Sequence, residues 1–320
     1  MRASIVIPTY HRARDLSLCL DSILRQSSLP SEVIVVDNGT EAASEALVEE
    51  KAEEFAARGV RLTYVRNGQN SLTSARNIGS RLAHGDILFF VDDDTLLHPH
   101  YVEEILKVYE AIPDAMGVQG YIYLQKKGRL GNILSRFFFL SRLAPGECRV
   151  LPSISTLYPS MPDRVMACQY LSGVSSYRRS VLEEFLFDEK LLKYSDGEDV
   201  DFSSRVWKKF PGSLFLTPFA RYSNVASPEG RAQPRERVYM REIYGLYLFF
   251  KLFDPTLKNI AIFLWSRVGY FVLAMCRTVL RRSPAGLSEL CYLLGAYWLC
   301  LRHLREIRRG DLDFFNRTIR

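Results

Sequence analysis

No Cys-x-x-Cys pair occurs in the chain. The six cysteines, Cys19, Cys148, Cys168, Cys276, Cys291 and Cys300, fall mostly in apolar contexts. That pattern contains no paired-thiol motif, and buried free thiols in a reducing compartment are the expectation. Glycine is missing from Pro8-Thr9-Tyr10-His11-Arg12, the stretch after the first strand. A glycine-rich phosphate loop at that place is thereby excluded. The opening run Ala3 to Ile7 is too short for a signal-peptide core and meets Pro8 at once, so the chain is expected to start as a strand, in the cytoplasm. Internal repeats and low-complexity tracts are also absent, which sets aside repeat architectures.

The residues present divide unevenly. The 320 residues suit one large domain with an appendage, and 42 Lys+Arg against 36 Asp+Glu give a formal net charge of +6. From Arg221 onward 17 basic residues face 8 acidic ones, so the whole excess lies in the tail and the body is slightly acidic. The tail's arginines are interleaved with long apolar runs, an arrangement that fits an anionic bilayer surface better than nucleic acid. A body of residues 1–225 and a helical, apolar and basic extension of residues 226–320 are the expected domains.

The body is organised around Gly85-Asp86-Ile87-Leu88-Phe89-Phe90-Val91-Asp92-Asp93-Asp94-Thr95. Five consecutive apolar residues predict a fully buried strand, which in an α/β sheet delivers the residues after it to the carboxyl edge. Those residues are three carboxylates. Adjacent like charges repel unless a cation or basic groups offset them, and a hard divalent ion such as Mg2+ or Mn2+ is commonly held by one or two carboxylates plus substrate phosphate oxygens. The bland reading, a strand end and turn, accounts for one or two aspartates but not for three.

Ahead of this strand, Ala3 to Ile7, Val33 to Val36 and Arg61 to Arg66 predict strands, and Asp15 to Gln26, Glu41 to Arg58 and Ser71 to His84 predict helices. The alternation implies a mostly parallel sheet covered on both faces. Right-handed crossovers then place Pro8-Thr9-Tyr10, Asp37 and Asp92 to Asp94 along one edge, where ligands of open α/β sheets bind. Pro99 to Ile112 predicts another helix, with Pro99 in its first turn, and Ala115 to Leu124 a further strand. Residues 126–165 lose the period and suit an acceptor-binding insertion or a long loop with a packing anchor. Order returns at Met166 to Leu171, and Ser195-Asp196-Gly197-Glu198-Asp199 precedes a helix through Val206.

Five ordered elements, Ile5-Val6-Ile7-Pro8-Thr9-Tyr10, Val35-Val36-Asp37-Asn38, Ala75-Arg76-Asn77-Ile78-Gly79, Val91-Asp92-Asp93-Asp94 and Gly197-Glu198-Asp199, resemble those of the inverting, nucleotide-sugar-dependent glycosyltransferases of family 2. The resemblance implies a GT-A fold, a Rossmann-like, mostly parallel sheet flanked by helices, over residues 1–225. It implies that Pro8, Thr9 and Tyr10 line a base pocket, that Asp37 accepts from the base, and that Arg76 approaches the diphosphate or ribose. Arg12 and Asp93 join this nucleotide-sugar set. Asp92 would face the ribose and, with Asp94, the metal; Asp199, or Glu198 beside it, would take the proton from the acceptor hydroxyl.

The residue types suit that chemistry. A cation held at Asp94 stabilises the charge growing on the departing diphosphate, and one carboxylate near the acceptor oxygen completes an inverting displacement. Plainer roles compete with each assignment. Asp37 also fits an Asx-turn with Gly39, Ser195-x-x-Glu198 is a capping box, Arg76 fits a solvated helix face, and His98 or His100 flank a helix. Many relatives carry a late histidine where this chain reads Arg221-Tyr222-Ser223-Asn224-Val225, with Arg231, Arg235, Arg237 and Arg241 beyond as further positive charge. Gln-x-x-Arg-Trp is absent, so nothing supports a processive synthase.

A sugar-phosphate nucleotidyltransferase and a silent sugar-binding scaffold are the rival readings; the missing glycine loop opposes the first, and intact Asp92, Asp94 and Asp199 the second. The expected acceptor is a lipid-linked or cell-surface glycan precursor of envelope polysaccharide, met on the cytoplasmic face of the plasma membrane. Nucleic acid is not an expected partner. The apolar runs from Ile260 to Cys276, with Arg267 near the middle, and from Leu287 to Leu301 suit helices lying in the membrane interface, or else a helical hairpin buried on the protein or in a contact with a second copy of the chain.

Overall fold

A computed structural model of the chain describes residues 1–122, 129–194, 196–225, 232–281 and 284–319. They form two compact units. One comprises Met1–Leu124, Met161–Lys193 and Phe202–Arg231; the other comprises Gln125–Ser160, Tyr194–Asp201 and Ala232–Arg320. Residues 125–160 and 194–201 group with the C-terminal part.

The elements in chain order begin with β1 (Ala3–Thr9), α1 (Ala13–Leu24), β2 (Glu32–Asp37), α2 (Ala43–Ala57), β3 (Arg61–Arg66) and α3 (Leu72–Leu82). They continue with β4 (Ile87–Phe90), β5 (Thr95–Leu97), α4 (Tyr101–Ala111), β6 (Gly117–Ile122), α5 (Arg129–Phe137), β7 (Arg142–Leu143), β8 (Arg149–Val150) and β9 (Thr156–Tyr158). Then come β10 (Met166–Ala167), β11 (Ser175–Arg178), α6 (Arg179–Glu184), α7 (Glu198–Lys209) and β12 (Leu214–Asn224). The tail is helical: α8 (Pro234–Leu252), α9 (Leu257–Arg281), α10 (Pro284–Arg302), α11 (Leu304–Arg309) and α12 (Asp313–Ile319). α4 begins two residues after Pro99, which therefore sits ahead of the helix rather than in its first turn.

The first unit carries one sheet, ordered β10-β12-β6-β11-β4-β1-β2-β3, with β5 paired to β12. β3, β2, β1 and β4 run parallel; β11 runs antiparallel to both β4 and β6. The register sets Thr9 beside Asp37 and Val6 beside Phe90, so β1, β2 and β4 all end on one edge. Ile87 to Val91 are between 0% and 1% exposed. Burying each such side chain is worth roughly 1.5–3 kcal/mol, which explains why a uniformly apolar segment occupies the middle of the sheet. Gly79 brings α3 close to it: a Cβ there would stand 2.2 Å from Val6 Cγ1.

In the second unit β7, β9 and β8 form a small sheet, and α8, α9 and α10 share a core at Val238, Ala274 and Leu293. Arg267, at the centre of α9's apolar run, donates to buried Glu242 at 2.9 Å and to the Ser153 carbonyl at 2.9 Å. The arginine therefore meets a carboxylate inside the unit. The cysteines depart from expectation: Cys19, Cys276, Cys291 and Cys300 are free, but Cys148 and Cys168 are disulfide-bonded. Which thiols oxidise depends on tertiary proximity, and spacing along the chain does not reveal it.

Candidate active site

Each aspartate at the end of β4 has a cationic neighbour. Asp92 Oδ1 accepts from Arg76 Nη2 at 3.1 Å. Asp93 accepts from Thr9 Oγ1 at 2.8 Å and from Arg12 Nη1 at 3.1 Å, and the same Arg12 nitrogen lies 3.3 Å from Asp94 Oδ2. Two guanidinium groups thus offset three like charges held side by side. Asp93 and Asp94 are buried, whereas the Asp92 side chain keeps 27% of its exposure and is the most open of the three.

Arg76 is not a solvated face residue. It is 1% exposed, stands over the rings of Phe187 and Phe90, and lies 3.4 Å from the Gly173 carbonyl. Gly173 makes this approach possible, since a Cβ there would come within 3.0 Å of Arg76 Nη2 and 3.4 Å of Asp92 Oδ2. Asn77, next to Arg76 on α3, ties the helix to a distant loop through the Phe187 carbonyl and Glu189. The arginine-asparagine pair therefore works as one brace holding Asp92 in place.

Burial pushes Asp93 up to about 7 from its ordinary 3.8; Arg12 and Thr9 oppose the rise and Asp94 adds to it. A carboxyl raised in the folded state contributes stability that is complete below the unfolded value and is lost as pH rises through the folded one. The cation-free chain is thus expected to lose stability from this group as pH rises from ~4 to ~7, then nothing further. Denaturant melts of native chain and Asp93→Asn should diverge across that range; parallel curves would remove the assignment.

Asp37 closes β2. Its Oδ1 accepts the Gly39 N–H at 2.7 Å, which is the anticipated Asx-turn, and its Oδ2 accepts the Tyr64 hydroxyl at 2.9 Å. Burial, then the bond to Asp37, pushes Tyr64 up to about 12. Beside Asp37 opens a cavity of about 210 Å3, walled also by His11, Arg14, Glu41 and Ser44. Pro8 and Thr9 form the buried end of β1, and Tyr10 meets His11 edge-on at 4.2 Å. Tyr64 and Gly173 were not picked out by sequence reasoning: a tyrosine in a strand and a glycine after one carry no signal until the register aims them.

The stretch from Arg221 to Val225 runs through the end of β12 beside the acidic cluster. The Val225 N–H donates to the Asp94 carbonyl at 2.7 Å, and Asn224 Oδ1 accepts from Thr95 Oγ1 at 3.5 Å. Arg231 and Ser195 lie outside the described residues. Glu198 and Asp199 open α7 in the second unit, Glu198 buried and Asp199 half-buried, with the Val200 N–H donating to Asp199 Oδ1 at 2.7 Å. Nine candidate residues, from Pro8 to Asp94, thus belong to the first unit and two to the second.

Among the described residues no three His, Cys, Asp or Glu side chains converge as a metal cage. A cation that also takes donor phosphate oxygens needs no such cage, and the paired carboxylates Asp92 and Asp94 are the hard oxygen donors suited to Mg2+ or Mn2+.

A mostly parallel sheet whose carboxyl edge carries Asp37 and the Asp92–Asp94 cluster is a GT-A arrangement. Residues 4–184 match the model of Glycosyl transferase family 2. The chain belongs to that family. A Haemophilus influenzae protein described as an uncharacterized glycosyltransferase is 35% identical over 130 residues, 40% of this chain and 40% of that protein. The similarity therefore spans about two fifths of that relative's length. S. aureus TarS 1–349 in complex with UDP-GlcNAc superposes with a TM-score of 0.56 at 15% identity, covering 98% of this chain and 89% of that one. GalNAc-T7 with UDP, GalNAc and Mn2+ does so with a TM-score of 0.56 at 17% identity, covering 78% and 50%.

Proposed function

We propose that the chain is a metal-dependent inverting glycosyltransferase, moving a sugar from a nucleotide-diphosphate donor to a hydroxyl of a lipid-linked or cell-surface glycan precursor. The observation that carries the reading is the Asp92–Asp94 cluster at the end of β4, braced by Arg12 and Arg76 beside the Asp37 cavity. Pro8, Thr9, Tyr10 and Asp37 take the base; Arg76 and Asp92 orient the ribose side of the diphosphate. Asp92 and Asp94 hold Mg2+ or Mn2+, which when bound offsets charge on the leaving diphosphate. Asp199, with Glu198 as the alternative, accepts the acceptor hydroxyl's proton as its oxygen attacks the anomeric carbon from the face opposite the leaving group.

The tail supports work at a membrane surface. Leu257–Cys276 is long and apolar enough to cross a membrane by length and composition, with 22% of its apolar window buried. α9 exposes Leu257, Leu264, Val268, Met275 and Val279, and α10 exposes Leu287, Leu294, Trp298 and Leu301, one stripe on each helix. An exposed apolar stripe opposite a partly buried face suits lying in the interface rather than crossing it, and Arg302 over the Trp298 ring at 5.2 Å suits the headgroup level. The near-heptad spacing of α10's stripe favours, as the second reading, a contact with another copy of the chain.

The test is mass spectrometry of products formed from a panel of nucleotide sugars with a membrane lipid extract. One glycosyl unit added to a lipid acceptor, with release of nucleoside diphosphate only when Mg2+ or Mn2+ is present, is expected. Undiminished transfer in chelator would overturn the metal's role, and no consumption of any donor the transfer itself.

A further inference from the structure

In the second unit, three arginines and three exposed aromatic side chains surround one cleft. The cleft measures about 700 Å3 and is lined by Arg136, Arg142 and Arg149 together with Phe137, Phe139 and Trp265. Phe137 is 60% exposed although Trp265 Nε1 donates to its own carbonyl at 3.0 Å and the two rings meet at 5.4 Å. The aromatic wall is therefore held in place and still faces outward. Arg142 is the unusual member of the cationic wall. Its Nη1 is out of solvent and has no hydrogen-bond partner among the described residues. Burial lowers its affinity for the proton, and Arg136 and Arg149 lower it further against the opposing charge of Glu147, whose own carboxylate pairs with Arg149 at 2.8 Å.

A buried guanidinium N–H without an acceptor is costly, and crowding it with two more guanidinium groups adds repulsion. An anion with several acceptor oxygens relieves both, and phosphate matches the guanidinium fork. The aromatic wall asks in addition for an apolar chain attached to that anion. Resting on the membrane-surface reading above, we propose that this cleft receives the phosphate of an anionic membrane phospholipid, with its acyl chain against Phe137, Phe139 and Trp265. The segment 129–150, which gave no clear period in the sequence, then serves as a lipid-headgroup clasp.

Two measurements on the full chain separate this inference from the membrane reading. In the first, short-chain phosphatidylglycerol is titrated below its micelle concentration and Trp265 emission is followed, with Trp265→Phe identifying the signal among the 3 tryptophans. A saturable change is expected, lost in Arg142→Gln and in the paired exposed changes Arg136→Gln with Arg149→Gln, whose positions leave the fold intact. No saturable change in the native chain, or an unaltered one in these variants, overturns the cleft. In the second, flotation compares phosphatidylcholine vesicles with and without phosphatidylglycerol. The paired variant should partition roughly thirtyfold less well to the anionic vesicles, from about 1 kcal/mol per arginine. Equal charge removed in the other unit, at exposed Arg58 and Arg81, should change little. A native chain that stays at the bottom of the gradient while the titration saturates overturns the membrane reading alone; one that floats equally well with the paired change overturns the clasp.

Discussion

Asp199→Asn is expected to lower glycosyl transfer by roughly a hundredfold to ten-thousandfold, the range for loss of a general base, while donor affinity stays near the native value. The substitution is close to isosteric. Its amide oxygen still accepts the Val200 N–H that Asp199 Oδ1 accepts at 2.7 Å, so the first turn of α7 keeps its contact. The losses are the negative charge and the basicity, the two properties proton removal requires. Glu198 is buried where Asp199 is half-buried, and Glu198→Gln should therefore cost much less. Single-turnover transfer with saturating donor, alongside calorimetry of donor binding, separates chemistry from affinity. Equal loss in both variants would point to a helix-start role for the pair; near-native transfer in Asp199→Asn would move the base elsewhere in the loop, to Glu198 or Asp196.

The first unit was largely legible because its signals are local and repeat. Mostly apolar β1, β2 and β4 separated by helices leave few topologies open, and right-handed crossovers then set Thr9, Asp37 and Asp92 on one edge, as the register shows. Charge also spoke early: three adjacent aspartates implied cationic company, which Arg12 and Arg76 supply. The short strands β5 and β11 were not legible, since three or four residues carry no period and owe their place to pairing with β12, β4 and β6. Asp37 shows a different limit. The Asx-turn and the cavity-facing carboxylate are both present at one residue, so weighing one against the other posed a choice the fold does not make. In the tail, Arg267 reads from the sequence as a charge that disfavours spanning. Its partner Glu242 lies 25 residues away on α8, beyond any helical spacing, so its neutralisation was invisible.

Asp94→Ala is expected to abolish the metal-dependent part of donor binding, a loss of roughly a hundredfold or more, since even indirect supports of a metal commonly cost ten- to a hundredfold. The fold should tolerate the change. Arg12 keeps Asp93 as a partner at 3.1 Å, and the link from the Val225 N–H runs to the Asp94 main-chain carbonyl, which alanine retains. Removing Asp94 also removes a like charge beside Asp93, so the variant's stability should fall less with rising pH than the native chain's. Arg12 makes the experiment sharper. Its Nη1 stands 3.3 Å from Asp94 Oδ2, so a cation must share that carboxylate with a guanidinium. Calorimetry of nucleotide-sugar binding with Mn2+ and with chelator reads the outcome directly: the native chain should bind far better with metal, and Asp94→Ala equally poorly in both. If instead the variant keeps the full metal effect, Asp92 alone carries the ion, and Asp94 belongs with Arg12 as part of the brace.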